Sequence, residues 1–222
     1  MQTWFKKWIL VIKKMQNNGL RFRKLTIRDN LNKVAKLLLS RDLDYHFMIG
    51  EFDDNSDVML KLINDSDSIF YYNNYYVVEE LSSGNLVGLG SFRGYKKEIS
   101  NSFIYTRAFG ELNKSLPPKF NEVFDATFKM FNTMVLGGLM CQVIVDEHYR
   151  RKGIGSYMMK NLLNLYGKAP SFLWVSKDNV AAVKLYSKFD YITVDEFTDF
   201  SEEKEGRKEL KMFREGSNKY YD

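Results

Sequence analysis

The residues whose types and spacing best suit chemistry are three consecutive cations running into a spaced pair of glycines, Arg150-Arg151-Lys152-Gly153-Ile154-Gly155. Glycines allow close backbone approach, the first turn of a following helix offers N–H groups without intrahelical partners, and the cations add full charge. Together these make an anion site, and a pyrophosphate suits it. The elements that must position this loop flank it directly. The apolar run Leu139-Met140-Cys141-Gln142-Val143-Ile144-Val145 reads as a strand that turns through Asp146-Glu147-His148-Tyr149. From Ser156 to Tyr166, apolar residues at Tyr157, Met158, Leu162, Leu163, Leu165 and Tyr166 follow a helical period, so the whole reads as strand, basic glycine loop, helix.

A second constellation lies downstream. Ser171 to Val175 is a candidate buried strand, and Asn179 opens a helix on which Asn179, Ala182 or Val183, and Tyr186 share one face. An amide, a small residue and a phenol can thus face one ligand. Metal chemistry has little to build on, since the chain holds one cysteine, Cys141, and two histidines, His46 and His148, with no zinc spacing. The same cysteine count leaves no disulfide framework and points to a cytoplasmic protein.

With 222 residues, 45% of them hydrophobic, the chain is long enough for one main domain with additions. The formal charge of +5 suggests an anionic partner until it is divided: Lys6, Lys7, Lys13 and Lys14 account for four of those five charges. The body is nearly neutral, which argues against a nucleic-acid surface.

Residues 1–19 form a basic amphipathic segment. Trp4, Phe5, Trp8, Ile9, Val11, Ile12 and Met15 share half of a helical wheel with the lysines opposite, and Leu10 alone falls on the wrong side. A helix docked on its own domain or on a sister subunit, making a homodimer, fits this pattern; so does contact of residues 1–16 with a membrane surface. Its apolar run is too short to span a bilayer, and Met15 is an alternative start.

Leu20 to Leu25 alternates as a half-buried strand, Asp29 is positioned to cap a helix carrying Leu31, Val34, Ala35, Leu37 and Leu38, and a short helix is expected over 57–63. Tyr75 to Glu80 and Leu86 to Phe92 form a hairpin, with Gly88 and Gly90 marking a bulge or a close approach. Residues 93–133 read as an insertion that covers the sheet or closes an acceptor pocket, with a helical stripe at Phe120, Val123, Phe124, Phe128 and Phe131. Tyr191 to Val194 and Glu209 to Phe213 are terminal strands, and 215–222 is a tail.

Arg150, Gly153 and Gly155 match the Arg/Gln-x-x-Gly-x-Gly/Ala signature of the GNAT superfamily of acyl-CoA-dependent N-acyltransferases, which this chain therefore resembles. Asn179, Ala182, Leu185 and Tyr186 match the family's Asn-x-x-Ala-x-x-Leu-Tyr helix after the next strand. One departure is Asp190-Tyr191 where the family has Gly-Phe, and Asp tolerates the left-handed conformation that such a Gly supplies. The resemblance implies an α/β (α+β) fold over residues 20–214, with a mixed, mostly antiparallel central sheet splayed at the fourth and fifth strands and helices on both faces.

The resemblance further implies transfer of an acetyl or related acyl group from acetyl-CoA to a primary amine, on a small molecule or a peptide, without a metal. Val143, Ile144 and Val145 would then pair with the pantetheine arm, Arg150, Arg151, Lys152, Gly153, Ile154, Gly155 and Ser156 hold the pyrophosphate, and Asn179 and Ala182 support the cofactor. Tyr186 would protonate the departing thiolate. Family members often place a Glu on the fourth strand as base, where Cys141 and Gln142 stand here. Glu79 and Glu80 are alternatives, as is a chain of waters, while His148 belongs to the turn and faces solvent. The missing carboxylate also admits a rival reading, an acyl-CoA-binding regulatory module without catalysis.

Overall fold

A computed structural model describes residues 19–40, 52–94, 102–118, 120–121, 124–125, 139–198 and 208–217. The amphipathic segment 1–16, residues 41–51, and Val123, Phe128 and Phe131 of the expected stripe lie outside the described residues.

Seven strands form one sheet in the order β1-β2-β3-β4-β5-β7-β6. They are β1 (Leu20–Lys24), β2 (Tyr76–Glu80), β3 (Leu86–Gly94), β4 (Leu139–Val145), β5 (Ser171–Ser176), β6 (Ile192–Thr198) and β7 (Lys208–Arg214). Every neighbouring pair is antiparallel except β4 and β5. That parallel pair is joined only at Leu139–Ser171 and Met140–Phe172, and beyond Met140 the strands part. The splay and the mixed sheet expected from sequence are both present.

Helices cover both faces because alternate strand residues bury against different partners. On one face, α1 (Leu31–Leu39) and α2 (Phe52–Asn64) enclose Leu25, Val77, Leu89 and Ile144, joined by α3 (Ser102–Gly110) through Tyr105, Phe109 and the stacked Phe120 and Phe124. On the other face, α4 (Ile154–Tyr166) and α5 (Val180–Ser187) lie over Val78, Val87, Phe92 and Cys141. Met158, Met159, Leu162 and Leu163 of α4 are fully buried there, each contributing roughly 2 kcal/mol of transfer free energy. Gly88 and Gly90 serve close approach: a Cβ on Gly90 would meet Leu162 at 2.9 Å and Met158 at 3.0 Å. The bulge in this hairpin falls between Val78 and Glu79 on β2.

One cap differs from expectation. Asn30 caps α1 by accepting from Lys33 N, while Asp29 is drawn into an ion pair with Arg23 at 2.6 Å and bonds to Thr26. An arginine within reach out-competes a helix N-terminus for a carboxylate, since both charges gain from pairing. At the other end of the chain, Asp190 does take the left-handed conformation, with φ +66°, that the departure from Gly required.

Candidate functional site

The gap between β4 and β5 sets the geometry. Leu139 donates to Pro170 O on the β5 side, and Asp146 donates to Val87 O on the β3 side. Strand backbone groups alternate in direction, and the β3–β4 register is unbroken from Leu139 to Val145, so Val143 and Val145 aim N–H and C=O into the gap. Arg150 Nε already donates to Val145 O at 3.3 Å. Ile144 differs from its neighbours in this respect. Its backbone is turned to β3 and its side chain is buried in the opposite core, so of the three strand residues only Val143 and Val145 offer the open edge.

Below that edge the chain makes its basic turn. Asp146 Oδ1 accepts from His148 N and its other oxygen pairs with Lys33 of α1, fixing where the turn begins. Burial pushes the Asp146 carboxyl up, but the Lys33 ammonium and the His148 N–H outweigh it and hold the group below the ordinary aspartate value. Tyr149 donates to Glu80 Oε2 at 3.2 Å, and Lys152 Nζ stands 4.8 Å from the Tyr149 ring. Arg151 and Gly153 then adopt φ +64° and +82°. This pair of left-handed residues folds the chain back so that α4 starts at Ile154, where Ile154, Gly155 and Ser156 present first-turn N–H groups. Arg150, Arg151 and Lys152 are exposed around them.

The two glycines have different tasks. A Cβ on Gly153 would meet nothing within 4 Å, so this residue is there for its positive φ. A Cβ on Gly155 would meet Leu185 of α5 at 3.0 Å, so that glycine serves helix packing as well as any ligand.

On α5, Asn179 is exposed and its Oδ1 caps the helix by accepting from Ala182 N at 3.1 Å. Ala182 is half-buried against the α4-side core, and Tyr186 is buried in that core with its ring 5.9 Å from Tyr191. Tyr186 therefore lies on the same face of the sheet as the side chains of Cys141, Val143 and Val145.

The two glutamates proposed as bases stand elsewhere. Glu79 is clamped by Arg21 and Arg23, both at 2.8 Å, and these bonds hold its carboxyl below the usual glutamate value, which makes it a weaker proton acceptor. It sits on β2, two strands from β4, and Glu80 is taken up by Tyr149 and by Ser83 at 2.7 Å. His148 is exposed, 3.7 Å from Glu147.

A polar group that sequence reasoning missed occupies the face opposite α4. Arg93, Tyr75 and Gln142 are all buried; Arg93 Nη1 donates to Tyr75 Oη at 3.2 Å, and Tyr75 Oη lies 3.2 Å from Gln142 Oε1. The β2–β3 and β3–β4 registers together bring these distant residues into contact. Among the described residues there is no group of three or more His, Cys, Asp or Glu side chains able to hold a metal ion.

A splayed parallel strand pair thus stands above a left-handed basic turn and a helix N-terminus. The model of the acetyltransferase (GNAT) family matches residues 41–191, and the chain belongs to that family. An N-alpha-acetyltransferase of Sulfurisphaera tokodaii is 29% identical over 104 residues, 45% of this chain. That match spans 62% of the relative's length. The crystal structure of an acetyltransferase superposes with a TM-score of 0.62 at 20% identity, over 89% of this chain and 100% of the other. An N-acetyltransferase from Staphylococcus aureus Mu50 gives 0.63 at 17% identity, over 87% and 99%. Identities this low show a shared fold and no more. Among the described residues no helix is long and apolar enough to cross a membrane.

Proposed function

We propose that the protein transfers an acetyl group from acetyl-CoA to a primary amine. The observation that carries this reading is the open edge of β4, with the Val143 and Val145 backbone turned into the gap directly above the α4 N-terminus. The residues present fit coenzyme A. A pantetheine arm carries amides that can add to a bare strand edge, and a pyrophosphate suits first-turn N–H groups beside Arg150, Arg151 and Lys152.

Acetyl-CoA supplies a thioester whose carbonyl carbon takes the amine nitrogen as its C–S bond breaks, one proton leaving the amine and one reaching the sulfur. The backbone N–H of Val145 or Val143 stabilises the negative charge that develops on the thioester oxygen. Tyr186, on the α4 side of the sheet, delivers the proton to sulfur. The Asn179 carbonyl is committed to the α5 cap, so its contribution to the cofactor is positional, setting where α5 and Ala182 begin. With Glu79 held by two arginines and Glu80 by Tyr149 and Ser83, the amine proton leaves through water.

The presence of Gln142 where relatives often carry a Glu favours one alternative, a module that binds acyl-CoA without catalysis. Thiol release from acetyl-CoA over a broad amine panel separates the two. Amine-dependent thiol is the expected result, and coenzyme A binding without it leaves the regulatory reading standing.

A further inference from the structure

Arg93 ends the inner part of β3 with its side chain on the face opposite α4 and only 8% of the residue exposed. A guanidinium does not shed its proton, so a charge at this depth is normally paired with a carboxylate. Arg93 makes no ion pair among the described residues. Its Nη1 donates to Ile69 O and to Tyr75 Oη, and its Nη2 reaches only the Met140 sulfur, a weak acceptor at 3.9 Å. Every one of those partners is neutral, and the Nε edge of the fork has none of them.

A second observation on the same face points the same way. Ser91 lies two residues before Arg93, pairs across the strands with Gln142, and is completely buried with no hydrogen-bond partner for its Oγ. Residues two apart on a strand share a face and stand roughly 6–7 Å apart. A buried cationic fork held only by neutral acceptors and a buried hydroxyl with no partner thus stand side by side, and what both lack is an anionic acceptor. A carboxylate meets that need, with its two oxygens taking the fork side-on.

Position gives the pair a purpose. Arg93 is the register partner of Met140 and Ser91 of Gln142, while β4–β5 pairing ends at Met140–Phe172. The polar row therefore runs beside the residues at which the gap opens, on the face away from α4. Gly94, the next residue, is exposed, so the row lies near the outer end of its strand.

Resting on the acetyl-transfer reading above, we infer that Arg93 and Ser91 hold the carboxylate of the acceptor, and that the acceptor is a small amine bearing a carboxylate, of the free amino acid type. Tyr75 and Gln142 brace the guanidinium, Tyr75 by accepting from it and Gln142 through the Tyr75 hydroxyl. An α-amino acid anchored this way keeps its nitrogen within a bond or two of the anchored group. The amine is then presented at the mouth of the gap.

The test compares free α-amino acids with their own carboxamides, in two measurements on the full chain. Thiol release from acetyl-CoA is expected to show kcat/KM for the acid at least tenfold above that for the amide. Arg93→Met should bring that ratio close to one with affinity for coenzyme A unchanged within about twofold, and Ser91→Ala should lower it severalfold. In parallel, equilibrium dialysis of acid and amide against protein saturated with coenzyme A reads acceptor binding without chemistry. Preferential binding of the acid, lost in Arg93→Met, supports the carboxylate site even if no thiol appears, and in that event only the transfer reading falls. Equal treatment of acid and amide in both measurements overturns the inference and leaves Arg93 as a pin for the Ile69 loop. Should Arg93→Met fail to fold, the wild-type ratio and Ser91→Ala decide.

Discussion

The two faces of β4 are built from different materials. Toward α4 and the gap, the strand offers main-chain groups of Val143 and Val145, a turn made by two left-handed residues, and the N-terminus of a helix. Toward α1 and α2 it offers side chains, Gln142 joined through Tyr75 to Arg93. On the reading proposed above, the donor side recognises amides and phosphates largely through main-chain groups, which are the same in every sequence, with Arg150, Arg151 and Lys152 adding charge. On that reading, selectivity for a particular acceptor comes from the other face, where identity resides in side chains.

That contrast is open to attack at several points, beginning with the largest effect. Tyr186→Phe is expected to lower kcat by about a hundredfold with KM for acetyl-CoA nearly unchanged, in line with loss of one general acid; steady-state thiol release measures it, and undiminished turnover removes Tyr186 from the acid role. Next, Gly153→Val forces a β-branched residue to φ +82°, at a cost of about 1–2 kcal/mol. Coenzyme A should then bind roughly tenfold more weakly by calorimetry, and wild-type affinity would place the pyrophosphate away from this turn. Gly155 is the poorer choice, because a side chain there collides with Leu185 whether or not a ligand binds.

A smaller effect concerns the link between the faces. Lys33→Met leaves Asp146 unpaired and is expected to cost about 1–2 kcal/mol near neutral pH, reduced from a fully buried pair because Lys33 is a third exposed. Asp146 and Asp29 are both held below their ordinary values, Asp146 by Lys33 and His148 N–H against its burial, Asp29 chiefly by Arg23. Depressed carboxyls stabilise the fold fully above the unfolded value near 4 and lose that contribution as pH falls through the lower folded value. Thermal melts from pH 7 to 3 should therefore converge for Lys33→Met and wild type at the acid end; a constant offset would assign the effect to packing. Smallest of all, Asn179→Ala should cost about 1 kcal/mol of stability through the lost cap. Its affinity for coenzyme A should change less than threefold, and a larger loss would mean that the Asn179 side chain contacts the donor as well as capping α5.

The same contrast explains what could be read from the chain alone. Strand, turn and helix from Leu139 to Tyr166 are contiguous, so their apolar period and the glycine spacing reveal them locally, as do the hairpin at Tyr76 to Gly94 and the left-handed Asp190. Arg93, Tyr75 and Gln142 meet across separations of 18 and 67 residues. No periodicity reports such a meeting, since it depends on the registers in which β2, β3 and β4 pair. For the same reason Glu79 looked available as a base until the pairing of β1 with β2 placed two arginines beside it. The double duty of Gly155 was hidden too, because Leu185 reaches it from a helix that begins 25 residues later in the chain.

The parting of β4 from β5 has a mechanical side. With pairing confined to Leu139–Ser171 and Met140–Phe172, strands β1 to β4 and strands β5, β7 and β6 are joined along that seam chiefly by the helices laid over them. A molecule that fills the seam acts as a staple between two halves of one sheet. Binding that occurs only to the folded chain adds about 2.7 kcal/mol of stability at a hundredfold excess over its dissociation constant. The donor would then double as a folding ligand, and the amount of intact protein in a cell would follow its supply.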